Sequence, residues 1–187
     1  NEWWGKQGMG TMPHALIQMF RGDVVAATKA YQEIFPEDEL MALVDYNNDV
    51  ITDSLKLARE FGDELNAVRV DTSKTMVDKY FLRNDHLMGT FDPCGVNPEL
   101  IFALRKALDD EGFTKVNIVA SGGFTEEKIE YFENRGVPVD MYGIGSSLLH
   151  INIHFTGDNV LLDGTHSAKE GRKFWPNERL EEVMYEG

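Results

Sequence analysis

Cysteine is almost absent from this chain of 187 residues, which contains only Cys94. One cysteine excludes an intramolecular disulfide and is typical of a reducing compartment, so we expect a cytoplasmic protein held together by its core. Long apolar runs are missing as well: no stretch approaches the roughly 18–20 residues that cross a bilayer, and the first residues do not form a signal-peptide pattern. The sequence therefore predicts no contact with a membrane.

Basic residues are scarce too, with 18 Lys and Arg against 32 Asp and Glu and a formal net charge of −14. This charge argues against nucleic acid as a partner, because phosphate backbones are held mainly by lysine and arginine. A small anionic ligand is compatible with this negative net charge only if a few local hydrogen-bond donors bind it. Since 42% of the residues are hydrophobic, the chain is able to bury one substantial core.

What the sequence does contain is an alternation of short apolar runs and amphipathic helical patterns. Predicted strands end at Val44, Asp71, Ala120 and Tyr142. Predicted helices cover residues 15–20, 24–34, 51–61, 75–82, 98–108 and 126–134. An alternation repeated roughly four times favours a parallel sheet or barrel over an antiparallel sheet.

Two of these strands lead into glycine-rich loops, one after Ala120 and one after Tyr142. Glycines allow φ > 0, leave no Cβ in the way of a ligand, and expose backbone N–H groups to a phosphate. A glycine pair after a strand is more often only a tight turn, but two such loops after late strands are typical of phosphate sites in β/α barrels. The predicted phosphate-binding residues are Ser121, Gly122, Gly123, Gly143, Gly145 and Ser146.

Charged residues also fall where predicted strands end, namely Asp45, Arg69 and Asp71. Ligands of α/β folds bind at the carboxyl ends of the strands, so these side chains and the glycine loops together predict a site. Arg69 and Asp71 are two residues apart and share one face of their strand. They can therefore pair with each other or contact the same ligand.

The pattern changes after residue 149. Period-two alternation at 151–155, an apolar run at 160–162 and the turn residues Asp163 and Gly164 predict antiparallel strands. We therefore predict a partial α/β barrel over residues 1–149 and a small antiparallel β appendage over residues 150–187, which needs a partner surface to stay folded.

Taken together, several segments resemble successive motifs of the nicotinate phosphoribosyltransferase family. They are 10–16, 43–45, 68–72, 120–123, 142–148 and the tail 163–180. The resemblance spans nearly the whole chain but only the later part of the family's polypeptide. It implies a type II phosphoribosyltransferase with an irregular parallel β/α barrel. Such an enzyme joins nicotinate to 5-phosphoribosyl 1-diphosphate in NAD biosynthesis, while ATP hydrolysis drives turnover through a phosphohistidine.

The resemblance also implies roles for individual residues. His14 matches the phosphorylated histidine, and imidazole is nucleophilic at neutral pH. Asp45 and Asp71 match catalytic carboxylates near the ribose and Mg²⁺, a cation that one or two carboxylates hold together with substrate oxygens. Arg69 matches the arginine near the pyridine carboxylate and the phosphate, where a guanidinium can bind bidentately. The glycine loops match the site of the ribose 5-phosphate.

The sequence departs from the family after Asp71. Many members continue with Ser-Gly-Asp, whereas this chain continues with Thr72, Ser73 and Lys74. Backbone freedom falls and a negative charge becomes positive, so contacts made by this loop differ from the family's. Thr72 and Lys74 are predicted to contact substrate, with Lys74 neutralising diphosphate.

The chain begins at Asn1 without a methionine, and the family's upstream portion has no counterpart in it. That portion supplies basic residues and the aromatic side chain that stacks on nicotinate. We expect a fragment or subunit that is inactive alone and associates as a homo-oligomer, such as a dimer, or with the missing N-terminal portion. Two alternatives stay open: another phosphate-binding barrel enzyme, such as quinolinate or nicotinamide phosphoribosyltransferase, and a non-catalytic partner subunit that senses a nucleotide.

Overall fold

A computed structural model describes residues 12–145, 147, 159–168 and 170–179. The chain divides into two compact units, Asn1–His150 and Ile151–Gly187. In the described ranges no helix combines the length and the apolarity that crossing a bilayer requires.

The first unit is built on one parallel sheet with the strand order β1-β2-β3-β4. Its strands are β1 (Leu40–Leu43), β2 (Leu65–Val70), β3 (Asn117–Ala120) and β4 (Met141–Tyr142). All of β1 is buried and most of β2 and β3 is buried, which explains why these strands read as apolar runs rather than as alternating patterns. The predicted α/β class with a parallel sheet is confirmed.

Six helices accompany the sheet within residues 12–145. They are α1 (His14–Met19), α2 (Val24–Ile34), α3 (Val50–Phe61), α4 (Lys79–Arg83), α5 (Pro98–Asp110) and α6 (Glu126–Asn134). Short 3₁₀ turns cover Gly62–Glu64 and Asp85–Leu87. Side chains fix several helix starts: Asp23 accepts the N–H groups of Val25 and Ala26, and Asn97 accepts that of Leu100 just before Pro98.

The helix predicted over residues 75–82 is wrong in its first half. Val77 instead forms an isolated antiparallel bridge with Cys94, and the helix begins only at Lys79. Asp78 is the reason for the late start, because its carboxylate accepts the N–H of Tyr80 and so caps α4. The loop after β2 is therefore longer and more extended than its amphipathic pattern indicates.

The sheet buries a large core on its helix-bearing side. Side chains from β1, α3, α5 and β3 meet there, and examples with no exposed surface are Leu43, Leu57, Leu104 and Ile118. Met41, Ala67 and Val119, from three neighbouring strands, form a separate small cluster. The strands are thus packed against the core, and because they are parallel, their carboxyl ends lie along one edge of the sheet.

The described part of the second unit contains a two-stranded antiparallel sheet, β5 (Leu161–Leu162) and β6 (Thr165–His166). Asp163 and Gly164 join the strands with φ values of 50° and 75°, as a type I′ hairpin turn requires. The predicted hairpin is confirmed, whereas the strand predicted at 151–155 lies outside the described residues.

Candidate functional site

The carboxyl end of β1 carries an aspartate that contacts the start of α1. Oδ2 of Asp45 lies 3.0 Å from Nε2 of His14. The Asp45 side chain is only 6% exposed, whereas that of His14 is 45% exposed. The pair therefore consists of a buried carboxylate and an imidazole whose other face is open to solvent.

Burial raises the pKa of Asp45, and the negative charge of Asp71 raises it further, while the bond to His14 acts in the opposite direction. The second oxygen of Asp45, Oδ1, is buried and has no hydrogen-bond partner among the described residues. A buried carboxylate oxygen without a partner is costly. A cation or a ligand hydroxyl near Asp45 would remove that cost.

The next strand end is bound directly to the first glycine loop. Ser121, which follows β3, donates its hydroxyl to Oδ1 of Asp71 at 2.8 Å, and its backbone N–H donates to the carbonyl of Val70 at 2.9 Å. The two predicted site residues Asp71 and Ser121 are therefore in contact. The negative charge of Asp71 also contributes to the raised pKa of Asp45, after the larger effect of burial, so the two pairs interact electrostatically.

The first glycine loop needs its glycines for two different reasons. Gly122 has a φ of +89°, and a Cβ there would lie 3.2 Å from the carbonyl oxygen of Thr72. Gly123 has a φ of +75°, but a Cβ there would have no heavy atom within 4 Å. Gly122 thus lets the loop pack on β2, while Gly123 adjoins open space in which an anion can lie.

The second glycine loop packs on the first. A Cβ on Gly143 would lie 2.8 Å from that of Ser121, so only glycine fits there. Gly145 adjoins open space, as Gly123 does. Ser147 donates its hydroxyl to the carbonyl of Phe124 at 2.9 Å and ties the end of this loop to the first. Ser146, also predicted to bind phosphate, lies outside the described residues.

Arg69 and Thr72 lie at the end of β2. Nη2 of Arg69 donates to the carbonyl of Met12 at 2.8 Å, two residues before His14. Within residues 12–145 the guanidinium of Arg69 forms no ion pair with Asp71, so the structure does not show the pairing weighed from the sequence. Thr72 is 2% exposed, and its Oγ1 is buried without a partner in the described part of the chain.

Lys74 is placed differently from the other predicted residues. It lines a cavity together with residues of α5 and α6, and His14, Asp45, Asp71 and Ser121 are not among the residues that line this cavity. A larger cavity of about 500 Å³ lies at the amino ends of β2 and β3, beside Asn66 and Asn117. Because ligands of α/β sheets bind at the carboxyl ends of the strands, we place the site at the His14–Asp45 and Asp71–Ser121 pairs rather than in the larger cavity.

Sequence reasoning missed the contacts that join the loops after β1 and β2. Nδ2 of Asn48 donates to the carbonyl of Val77 at 2.6 Å, and the N–H of Lys79 donates to the carbonyl of Asn48 at 2.9 Å. The N–H of Val50 donates to Oδ2 of the buried Asp78 at 3.0 Å. These partners are about 30 residues apart, so no local pattern of the kind used for caps and turns predicts them.

The donor set at the strand ends fits a hard cation better than a soft one. Within the described residues no group of three or more His, Cys, Asp and Glu side chains is placed to hold a metal. Two carboxylates, Asp45 and Asp71, suit Mg²⁺ only if substrate oxygens or water complete its shell. The unpartnered Oδ1 of Asp45 is the observation that favours such an ion.

Comparison with known proteins extends the resemblance seen in the sequence. No family model matches the chain. Nicotinate phosphoribosyltransferase of Bacillus subtilis (strain 168) is 28% identical over 145 residues, which are 75% of this chain and 24% of that protein. Nicotinate phosphoribosyltransferase pncB2 of Mycobacterium tuberculosis is 29% identical over 150 residues, which are 78% of this chain and 27% of that protein.

A solved structure shares the fold. The crystal structure of nicotinate-nucleotide pyrophosphorylase from Pyrococcus furiosus superposes with a TM-score of 0.62 at 32% identity, covering 92% of this chain and 39% of that one. The chain thus spans about a quarter of the length of the curated relatives it matches. Over about three quarters of its own length, the chain is similar to a part of these nicotinate phosphoribosyltransferases.

Proposed function

We propose that this chain carries the phosphoribosyl-binding part of an enzyme that transfers phosphoribose from 5-phosphoribosyl 1-diphosphate to nicotinate. The observation that carries the proposal is the row of groups at neighbouring strand ends. Asp45, paired with His14 of α1, follows β1, Asp71 follows β2, and two interlocked glycine loops follow β3 and β4. The names of the curated relatives and of the solved structure support the same chemistry.

In this transfer the bond between C1 of ribose and the diphosphate oxygen breaks, and a bond from the pyridine nitrogen to C1 forms. Diphosphate leaves with the electron pair, and the nitrogen lone pair supplies the new bond, so no proton has to move. Positive charge develops on the ribose during the exchange. Negative side chains such as Asp71 would stabilise that charge, and the loop N–H groups beside Gly123 would hold the 5-phosphate.

Asp45 and Asp71 are the residues that would hold Mg²⁺, together with oxygens of the diphosphate substrate. The ion would neutralise the leaving diphosphate. It would also offset the burial of Asp45 and its repulsion by Asp71, the two effects that raise the pKa of Asp45.

We further propose that His14 accepts a phosphoryl group from ATP. If Nε2 donates its proton to Oδ2 of Asp45, the imidazole is fixed in the tautomer whose Nδ1 carries the lone pair. The buried Asp45 would then stabilise the charge that the ring gains on attack at the γ-phosphorus, where the bond to the ADP oxygen breaks. The half-exposed ring leaves space for a nucleotide.

Arg69 would recognise the carboxylate of nicotinate. One of its five N–H donors is used by the carbonyl of Met12, which leaves others for a ligand. The same bond ties the segment before α1 to β2. A nicotinate bound at Arg69 would therefore contact the same side chain that holds the segment before His14.

A transfer assay tests the proposed function and its base specificity. The chain is co-expressed with the upstream portion of a relative, and labelled nicotinate, nicotinamide and quinolinate are supplied in separate reactions with 5-phosphoribosyl 1-diphosphate. We expect nicotinate mononucleotide to form from nicotinate. With Asp71→Asn the rate should be lower than that of the unchanged chain by about tenfold or more. Product from quinolinate or nicotinamide instead would show that this base, and not nicotinate, is the substrate. If a folded complex gave no product from any base, phosphoribosyl transfer would be contradicted.

A further inference from the structure

A cavity of about 290 Å³ is separate from the strand-end site and has no assigned role. Its lining combines the aromatic residues Phe91, Tyr131 and Phe132 with two lysines, Lys74 and Lys128. The volume is near the lower end for small-molecule pockets. The cavity therefore offers aromatic surface beside positive charge, at the size of a single-ring ligand.

Lys128 is the charged group of this cavity whose position calls for an anion. It is half-buried, and its Nζ lies 4.3 Å from the ring centroid of Phe124 and 5.8 Å from that of Phe132. Burial alone lowers the pKa of its ammonium group, without an opposing effect from any carboxylate of the described residues. The two rings offset part of the cost of burying the charge, but a counterion is still favourable.

The carboxylates on the cavity wall are already engaged. Glu99 accepts a hydrogen bond from Nη2 of Arg135 at 2.8 Å, and Oδ1 of Asp92 accepts the N–H of Cys94 at 3.0 Å. Neither forms an ion pair with Lys128 within the described residues. An anion that enters the cavity would therefore meet Lys128 and Lys74, neither of which is paired with a carboxylate among the described residues.

We propose that this cavity binds a small planar carboxylate, with its ring against the aromatic wall and its carboxylate on Lys128. Aromatic side chains favour a flat ring, because they pack against it in offset-stacked or edge-to-face geometry. Lys74 contributes a second positive charge at the same cavity. The proposal does not depend on what the strand-end site binds.

Benzoate is a suitable probe because it has the ring and the carboxylate but no pyridine nitrogen. We expect the purified chain to bind it, and benzamide and inorganic phosphate to bind at least about tenfold more weakly, since each lacks one half of the recognised chemistry. In protein with ¹³C-labelled lysine, the Cε signal of Lys128, assigned by its absence in Lys128→Gln, should shift when benzoate is added.

Matched variants locate the bound benzoate. Lys128→Gln keeps most of the stem and removes the charge, so its benzoate affinity should fall about tenfold or more. Lys106→Gln, an exposed lysine of α5, should bind benzoate as the unchanged chain does. The proposal would be overturned if phosphate bound as tightly as benzoate or if the Lys128 signal did not move. It would also be overturned if Arg69→Gln, and not Lys128→Gln, lowered the affinity for benzoate.

Discussion

At the level of single residues, the contact between His14 and Asp45 is the one on which the proposed phosphoryl transfer depends. The carboxylate is buried, the imidazole is half-exposed, and their atoms are 3.0 Å apart. If His14 carries a phosphoryl group, γ-labelled ATP should leave a label that is stable in base and labile in acid. We expect this label to be lost in His14→Ala and kept in His86→Ala, which removes an exposed histidine of a 3₁₀ turn. A labelled His14→Ala protein would show that the phosphoryl group is elsewhere.

The raised pKa of Asp45 predicts a pH dependence of stability. Because the folded state holds the proton of this carboxyl more tightly than the unfolded chain does, the resulting stabilisation is complete below the ordinary pKa of 3.8 and is lost as pH rises through the raised folded value. We compare the free energy of unfolding of the unchanged chain with that of Asp45→Asn. The first value minus the second should decrease as the pH rises from about 3 to 7. Urea unfolding at several pH values measures this difference. Asp63→Asn controls for the loss of one charge, because the Asp63 side chain is 90% exposed. An increase with pH would show that the bond to His14 outweighs burial.

Part of this residue-level picture could be predicted from the sequence. Asp45, Asp71 and the glycine loops follow apolar runs, so their place at the strand ends follows from the pattern. Their pairing could not be predicted, because Ser121 and Asp71 are 50 residues apart and meet only through the register of β2 and β3. The bond from Arg69 to Met12 is hidden for the same reason.

At the level of elements, the buried Asp78 joins the start of α3 to the start of α4. It accepts the N–H groups of Val50 and Tyr80, whereas the exposed Asp23 accepts two N–H groups of α2 alone. Asp78→Ala leaves two N–H donors without a partner in the interior and should lower the free energy of unfolding by roughly 2–4 kcal/mol. Asp23→Ala, whose donors water can reach, should cost about 1 kcal/mol. Equal losses in chemical denaturation would mean that Asp78 is only a helix cap.

The elements themselves were predictable where a local signal decides them. Asp23 caps α2 and the bounds of α6 are as predicted, because each depends on neighbouring residues. The start of α4 could not be predicted, because Val77 pairs with Cys94 across the loop and Asp78 accepts a hydrogen bond from the start of α3. A helical pattern of side chains cannot reveal that its backbone N–H groups are needed elsewhere.

For the whole molecule, the open edges of the sheet determine how the chain is expected to associate. In the described part of the chain β1 and β4 each have one strand partner, which leaves two edges of a parallel sheet. Exposed parallel edges favour association. We expect the purified chain to sediment as dimers or larger species, and co-expression with the upstream portion of a relative to shift it to one defined complex that makes nicotinate mononucleotide. A monomeric chain that turns over substrate alone would contradict this expectation.

The central claim is that the glycine loops beside Asp71 hold the phosphate of a phosphoribosyl group, and calorimetry with nicotinate mononucleotide tests it most directly. Gly123→Ala and Gly112→Ala form a matched pair: both glycines have positive φ and open space around a new Cβ, but Gly112 follows α5, away from the strand-end site. The account predicts that the unchanged chain and Gly112→Ala bind equally and that Gly123→Ala binds about tenfold or more weakly, the loss expected for one charge-assisted hydrogen bond. Equal affinity of Gly123→Ala and Gly112→Ala would contradict it.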